Sequence, residues 1–419
     1  MIKEENKSTR AVLVSVAERT SDVAECERSL DELERLLETA GGECYAKMLQ
    51  VKETFDPRTC IGSGKVKELA EICSNNEVEL VVFDFELSPS QIRNLESDLG
   101  GDIDVLDRSM LILDIFALHA VTGEGKLQVE LAQLKYSAPR LIGRGTELSR
   151  QGGGIGTRGP GESKLETDRR HINERVTTLE RRLVELEHNR SVMRAKRDRS
   201  GLFKVAIVGY TNAGKSTLLN YLTDAGILSE DKLFATLDPT TRKLELPSGE
   251  NILLTDTVGF IRKLPHHLIK AFRSTLDEVK YADMLLVVSD VNDPEVKEHI
   301  AVTRDVITDL DAADKPTLYV YNKCDSSENN PIGRIADDSI AISALTGAGI
   351  SDMLAMIEEE IHRSKRSVVL EIPYSDQFVV SSLYSNYTVE NVSYLDNFVE
   401  VEVKLDAKGL GVYAKYIRS

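Results

Sequence analysis

The stretch that decides the fold reads Gly209-Tyr210-Thr211-Asn212-Ala213-Gly214-Lys215-Ser216-Thr217. The apolar residues 205–208 before it predict a buried strand, and residues 218–222 after it predict the first turns of a helix. Strand, glycine-rich turn, Lys-Ser and helix make up the full context of a P-loop, whose backbone N–H groups and helix dipole surround phosphates. Lys215 can reach the β- and γ-phosphates, and the Ser216 hydroxyl can ligate Mg²⁺.

The composition narrows the class of protein. The chain has 419 residues, 41% of them hydrophobic, and a formal net charge of −17, and this length suggests about three domains. Because proteins that coat nucleic acid are basic, any RNA partner has to be bound by a local basic patch. No apolar run is long enough to span a membrane, and the first residues lack a signal-peptide core. We therefore expect a cytoplasmic protein without a membrane span.

The cysteines predict no metal site. There are five of them, an odd number, and none forms a C-x-x-C pair. They are typical of free thiols in a reducing cytoplasm. We expect a monomer, although the sequence leaves the oligomeric state open.

Residues 1–107 predict an N-terminal α/β domain, because strand-like apolar runs alternate with segments of helical spacing. This alternation indicates a parallel sheet covered by helices. Gly62-Ser63-Gly64-Lys65-Val66 resembles a second P-loop, but Thr59 stands where the first glycine belongs and Val66 replaces the Mg²⁺-binding hydroxyl. We interpret it as a loop at the start of a helix. Binding of an anion there, ATP included, is the alternative.

Residues 108–200 predict an antiparallel helical hairpin. Leucines and other apolar residues recur at alternating steps of three and four in two seams, at 127–141 and at 172–186. The segment between them is rich in glycine and carries Arg140, Arg144, Arg150 and Arg158. A basic, glycine-rich tip in an acidic chain favours contact with an RNA backbone, and a flexible linker is the alternative interpretation.

Residues 201–365 carry further motifs of a nucleotide domain, each after an apolar strand. These are Asp256-Thr257-Val258-Gly259, Asn322-Lys323-Cys324-Asp325 and Ser343-Ala344-Leu345. Asp256 is expected to hold a water on Mg²⁺, and the Gly259 N–H to reach the γ-phosphate. The Asp325 carboxylate can accept hydrogen bonds from guanine N1–H and N2–H₂, which adenine cannot donate. A backbone N–H of residues 343–345 is expected at guanine O6. The motifs together predict GTP binding.

Residues 366–419 predict a small C-terminal α+β domain. The segments 398–404 and 412–417 alternate apolar and polar residues, which predicts half-exposed strands. No chemistry is indicated there.

The motifs resemble the HflX family of the Obg–HflX superfamily, with a translation-factor-type GTPase domain. The resemblance rests on residues 152–170, 209–217, 233–242 and 256–260 and spans nearly the whole chain. It implies a cytoplasmic GTPase that binds the large ribosomal subunit and splits stalled or idle ribosomes under stress. It also implies that Thr236 is the switch I threonine at Mg²⁺ and the γ-phosphate, whereas spacing alone does not separate it from Thr240 or Thr241. The neighbouring nucleotide-binding residues would be Phe234, Ala235, Leu237 and Asp238.

One position departs from the pattern of Ras-like enzymes. Phe260 stands where a water-orienting glutamine would be, so we expect slow intrinsic turnover and a helper group elsewhere. His266 and His267 are more typical of a helix surface than of catalytic bases. Asn212 resembles the asparagine by which some relatives hold K⁺ against the phosphates, and the sequence leaves this K⁺ site undecided.

The sequence therefore predicts an α/β protein: a Rossmann-like P-loop GTPase domain with a mostly parallel sheet, an N-terminal α/β domain, a helical hairpin and a C-terminal α+β domain. Lys215, Thr236 and Gly259 are the expected catalytic residues, and Mg²⁺ is held by Ser216 and Thr236, with Asp256 acting through water. A GTPase subunit of an RNA-processing or ribosome-assembly system, and a nucleotide-gated binding protein with little turnover, are the alternatives. The trigger, and whether ribosomes are split or only occupied, stay open.

Overall fold

The computed structural model describes residues 8–141, 160–223, 233–234, 237, 239–263, 268, 273–326 and 331–418. Within these residues the strands form three sheets. Mostly parallel pairing in the first two sheets and antiparallel pairing in the third confirm the predicted fold class. The domain boundaries remain predictions.

The N-terminal sheet is parallel, with strand order β2-β1-β3-β4. Its strands and helices are β1 (Arg10–Ala17), α1 (Val23–Thr39), β2 (Glu43–Val51), α2 (Ser63–Asn75), β3 (Leu80–Phe83), α3 (Pro89–Asp98) and β4 (Asp104–Asp107). Helix α1 packs its leucine face, Leu30, Leu33, Leu36 and Leu37, into the core.

Three helices follow: α4 (Arg108–His119), α5 (Gly123–Leu141) and α6 (Pro160–Ser200). Helix α5 packs against α6. Glu124 near the start of α5 accepts a hydrogen bond from Arg190 Nε at 3.0 Å, and Lys135 pairs with Glu180 at 2.7 Å, so the two helices run antiparallel. Arg144, Arg150 and Arg158 of the predicted tip lie outside the described residues. Arg140 lies in the last turn of α5, and its side chain is not among those described.

The central sheet has the order β10-β11-β9-β8-β5-β7-β6. Only its edge pairs, β6 with β7 and β10 with β11, are antiparallel among the described strands. The elements are β5 (Phe203–Gly209), α7 (Lys215–Thr223), β6 (Thr240–Glu245), β7 (Asn251–Asp256), α8 (Arg273–Tyr281), β8 (Met284–Asp290), α9 (Val296–Asp309), β9 (Thr317–Asn322), β10 (Gly333–Ala336), β11 (Ser339–Ala341) and α10 (Ile350–Ser364). Because the carboxyl ends of parallel strands share one edge, the motifs after β5, β7, β9 and β11 meet there.

The C-terminal sheet is antiparallel, in the order β12-β14-β13. Its elements are β12 (Arg366–Pro373), α11 (Phe378–Asn386), β13 (Thr388–Tyr394), β14 (Phe398–Leu405) and α12 (Ala407–Val412). The strand predicted at 398–404 is confirmed, but the one predicted at 412–417 is wrong. Asp406 caps α12 by accepting the Gly409 N–H at 2.7 Å, and Tyr413 and Tyr416, one helical turn apart, are both buried.

One apolar core extends from the N-terminal helices into the nucleotide domain. It contains leucines of α1, the apolar face of α4, and residues of β5 and β8. The rings of Phe116 in α4 and Phe234 in the nucleotide domain meet edge to face at 4.8 Å. No described helix is both long and apolar enough to cross a bilayer.

Candidate functional site

The P-loop connects β5 to α7 and depends on two glycines. Gly209 has φ +146°, and a Cβ built there would lie 2.1 Å from the Val288 carbonyl oxygen. Gly214 has φ +90°, and its Cβ would lie 2.2 Å from Asn322 Nδ2. A side chain at Gly209 would collide with β8, and one at Gly214 would collide with Asn322. The turn is therefore held tightly between the neighbouring strand ends.

Lys215 and Ser216 begin α7, with Thr217 in the same turn. Lys215 is 6% exposed, and its Nζ donates to the Tyr210 carbonyl at 2.7 Å. Burial lowers the pKa of Lys215 to about 8, against the opposing charge of Asp256. Ser216 Oγ donates to Asp256 Oδ2 at 2.7 Å. A hydroxyl and a carboxylate side by side are oxygen ligands that suit a hard divalent cation.

The segment after β7 lies directly on the P-loop. The Phe260 N–H donates to Gly209 O at 3.0 Å, and the Thr211 N–H donates to Phe260 O at 2.8 Å. A Cβ at Gly259 would lie 2.8 Å from the Thr211 methyl and 3.0 Å from Lys215 Nζ. Gly259 thus lies beside the lysine expected at the γ-phosphate. Within this segment Thr257 and Val258 are buried.

Asn322, the first residue of the motif Asn322–Asp325, contacts both the P-loop and the segment after β11. Its Nδ2 donates to Ala213 O at 2.9 Å, and its Oδ1 accepts the Ala344 N–H at 2.9 Å. Ser343 Oγ donates to Asp325 Oδ1 at 2.5 Å. Further contacts of the motif include Lys323 with Asp290 at 2.9 Å and the Cys324 N–H with Ile342 O at 3.1 Å. Asp325 and Leu345, which are expected to contact guanine, are exposed. Their contacts with guanine remain predictions.

The structure describes only part of the predicted switch I. Leu233, Phe234 and Leu237 are buried in the shared core. Ala235, Thr236 and Asp238 lie outside the described residues, as do His266 and His267. The proposed role of Thr236 therefore stays a prediction. Asn212, for which the sequence left a K⁺ role undecided, lies in the P-loop with φ +61°.

A buried charged network between the N-terminal helices and the P-loop was missed by the sequence analysis. Arg108 of α4, 1% exposed, pairs with Glu32 of α1 and with Asp84 at 2.8 Å. Glu32 accepts a hydrogen bond from the Tyr210 hydroxyl. Burial opposes the charge of Arg108, but Glu32 and Asp84 outweigh it and raise the pKa of Arg108. The only signal of this network in the sequence is that Asp84 and Arg108 each follow a strand-like apolar segment.

The same network reaches the segment after Gly259. Arg108 Nη2 donates to Arg262 O at 3.2 Å. Lys263 Nζ donates to Ser29 Oγ at 3.0 Å and to Asp84 Oδ2 at 2.7 Å. The segment that follows Gly259 is therefore bonded to the N-terminal domain through Arg262 and Lys263.

Asp293, Glu295 and His299 have their ligand-type atoms within 4.8 Å of one another. Glu295 Oε1, however, pairs with Arg28 at 2.5 Å and with Arg262 at 2.9 Å. Burial lowers the pKa of His299. With two guanidinium groups at the shared carboxylate, the cluster is an ion-pair network that joins α1 to α9, and it does not suit a metal ion.

Three family models match successive parts of the chain. Residues 27–117 match a model described as GTP-binding GTPase N-terminal, and residues 119–197 match GTP-binding GTPase Middle Region. Residues 204–323 match a model described as 50S ribosome-binding GTPase. The last match contains the P-loop and the Asp256 motif and ends at Lys323.

Curated relatives are similar over most of their length. GTPase HflX of Lacrimispora saccharolytica is 51% identical over 368 residues, which cover 87% of this chain and 86% of that protein. GTPase HflX of Escherichia coli is 42% identical over 366 residues, covering 86% and 85%. A crystal structure of a GTP-binding protein from Sulfolobus solfataricus with GDP is 24% identical, covers 84% of this chain and 98% of that chain, and has a TM-score of 0.44. The predicted resemblance is confirmed: the chain belongs to the HflX family and is a GTPase.

Proposed function

We propose that this GTPase binds the large ribosomal subunit and couples GTP hydrolysis to the splitting or rescue of stalled or idle ribosomes. The observation that carries the proposal is the match of residues 204–323 to a 50S ribosome-binding GTPase model. The arginines and glycines of residues 140–158 support it, because they suit close contact with RNA phosphates. We propose that the protein acts as a cytoplasmic monomer.

Hydrolysis proceeds by in-line attack of water on the γ-phosphate. The Lys215 ammonium and the P-loop N–H groups neutralise the charge that develops on the phosphate oxygens. Thr236 and the Gly259 N–H complete the surroundings of the γ-phosphate. Ser216 would hold Mg²⁺ directly and Asp256 would hold it through water, and the ion would supply positive charge to the phosphates. Asn212 is the proposed K⁺ ligand.

Phe260 suggests that a group from outside the protein has to orient the attacking water. Its side chain is 1% exposed, and it carries no hydrogen-bonding atom to orient water. Hydrolysis by the free protein is therefore slow, and the ribosome supplies or orders the missing group. A supplied catalytic group raises turnover by about 10³–10⁵.

Two measurements test the proposal. The protein should co-sediment with large subunits in the presence of a non-hydrolysable GTP analogue and dissociate from them in the presence of GDP. It should not co-sediment with small subunits alone. Multiple-turnover hydrolysis should accelerate only when large subunits are added. The Lys215→Ala variant should show no hydrolysis with or without large subunits. Sedimentation that is independent of nucleotide, or hydrolysis that large subunits do not stimulate, would show that the ribosome is not the partner.

Replacing Na⁺ with K⁺ in the hydrolysis assay tests the proposed role of Asn212.

A further inference from the structure

Tyr210 connects the P-loop lysine to the N-terminal domain. Its backbone carbonyl accepts a hydrogen bond from Lys215 Nζ at 2.7 Å. Its side-chain hydroxyl donates to the Glu32 carboxylate of α1. Glu32 is in turn paired with Arg108, which is paired with Asp84 at 2.8 Å. A chain of direct contacts therefore runs from the interior of the N-terminal domain to Lys215.

The contacts in this chain are buried. The side chains of Arg108 and Asp84 are 2% and 0% exposed, and that of Glu32 is 13% exposed. Hydrogen bonds and ion pairs are stronger in such surroundings than in water, and a buried partner left unpaired is costly. The Glu32 carboxylate consequently has one preferred position, between Arg108 and the Tyr210 hydroxyl.

The Tyr210 side chain is held on its other sides as well. Its ring stacks on His299 with 3.7 Å between centroids. Its hydroxyl accepts the Arg262 N–H at 2.7 Å. Because the ring and the hydroxyl are both fixed, the backbone of Tyr210 has little freedom to move. The carbonyl that orients Lys215 is fixed with it.

We propose that Glu32, a residue of the N-terminal domain, is a positioning residue for GTP hydrolysis and holds Lys215 in place through Tyr210. The proposal rests on the phosphate-binding role of Lys215 proposed above. Lys215 stabilises charge that is greatest in the transition state, so its misplacement lowers kcat more than it raises KM. Losing a hydrogen bond to a charged group, with the small displacement that follows, is expected to lower kcat/KM about 10–100-fold.

A double-mutant cycle on the full-length protein tests this path. Glu32→Gln, Tyr210→Phe and the double variant are compared in single-turnover and multiple-turnover GTP hydrolysis, with the thermal midpoint of each measured alongside. Each single variant should lose kcat with little change in KM. The double variant should be no slower than the slower single variant, because both changes remove the same charge-assisted hydrogen bond between the Tyr210 hydroxyl and the Glu32 carboxylate. Losses that multiply, unchanged rates, or faster hydrolysis in the single variants would overturn the proposal.

Asp31→Asn is the matched control. Asp31 precedes Glu32 on α1, but it pairs with Lys47 of its own domain at 2.6 Å, so its hydrolysis rate should equal that of the wild type. Lys215→Ala separates the two proposals. If it hydrolyses GTP normally, the role of Lys215 is wrong. If it is inactive while the losses in the cycle multiply, only the positioning role of Glu32 is wrong.

Discussion

Lys215 combines a positive charge with almost complete burial, and this combination predicts a pH dependence. Burial lowers its pKa from 10.5 to about 8 in the folded protein. Between these values the unfolded chain binds more protons, so the stability of the nucleotide-free protein rises with pH across this window. Phosphate binding needs the charged amine, and affinity for GTP should therefore fall as pH rises above about 8, by up to about tenfold per unit.

Equilibrium binding of GTP from pH 7 to 9, below the titration of guanine N1–H, checks this expectation, and the slope should be that of about one titrating group. Guanosine, which has no phosphates, is the matched control ligand, and its affinity should change much less. A parallel decline for guanosine and GTP would assign the titration to another group.

Asp325 determines the choice of base in the proposed site. Its carboxylate is oriented by the Ser343 hydroxyl at 2.5 Å, which leaves the other oxygen for the purine. Asp325→Asn should move preference from GTP to xanthosine triphosphate, with about 1.5–3 kcal/mol lost for each charged hydrogen bond to guanine. Competition binding measures the preference. Ser343→Ala should weaken GTP binding without changing the preference, and an Asp325→Asn variant that still prefers GTP would contradict the assignment.

At the scale of elements, helix α4 links the N-terminal sheet to the nucleotide domain. It begins directly after β4, and its Phe116 packs edge to face on Phe234. Phe116→Ala should destabilise the protein by about 3–5 kcal/mol, as truncations of buried phenylalanines do. Leu118→Ala, on the same helix at 64% exposure, should change stability by less than about 0.5 kcal/mol.

Denaturant midpoints of the two α4 variants measure the difference. A mild effect of Phe116→Ala, equal to that of Leu118→Ala, would mean that the shared core between the domains contributes little to stability.

At the scale of the whole molecule, the acidic chain and its basic segment predict how ribosome binding depends on salt. Changing Arg140, Arg144, Arg150 and Arg158 together to alanine should weaken binding to large subunits. It should also reduce the salt slope by roughly one for each RNA phosphate that the variant no longer neutralises. Affinity for GTP should stay nearly unchanged, because the P-loop lies between β5 and α7, in the predicted nucleotide domain. Binding at several salt concentrations measures the slope.

The matched control changes four exposed arginines elsewhere, Arg58, Arg304, Arg363 and Arg418, and so removes the same charge. It should bind subunits with nearly the wild-type slope. Normal binding by the first variant would favour the linker interpretation of residues 140–158. A loss of GTP binding would place that segment against the nucleotide site.

The sequence alone was enough to predict the nucleotide site, because the roles of its residues depend on their order in a short stretch of chain. Gly209, Lys215 and Ser216 are close neighbours in the chain, and their roles follow from a turn between a strand and a helix. The Asp256 and Asp325 motifs were each predicted to follow an apolar strand, and the parallel pairing of those strands in the structure brings them to one edge of the sheet. By contrast, the alternation at 412–417 was misleading, since Tyr413 and Tyr416 are buried three positions apart on helical turns.

Only the tertiary structure decided which surface of the N-terminal domain meets the P-loop. Glu32 and Tyr210 are 178 positions apart, and no local pattern relates them. A glutamate on an amphipathic helix is usually solvated, so Glu32 was indistinguishable from the other charges of α1 in the sequence. Its role arises because α1 and α4 pack on the nucleotide domain and exclude water around Arg108. Burial of a charge depends on the complete fold, whereas the order of a P-loop depends on a few neighbouring residues.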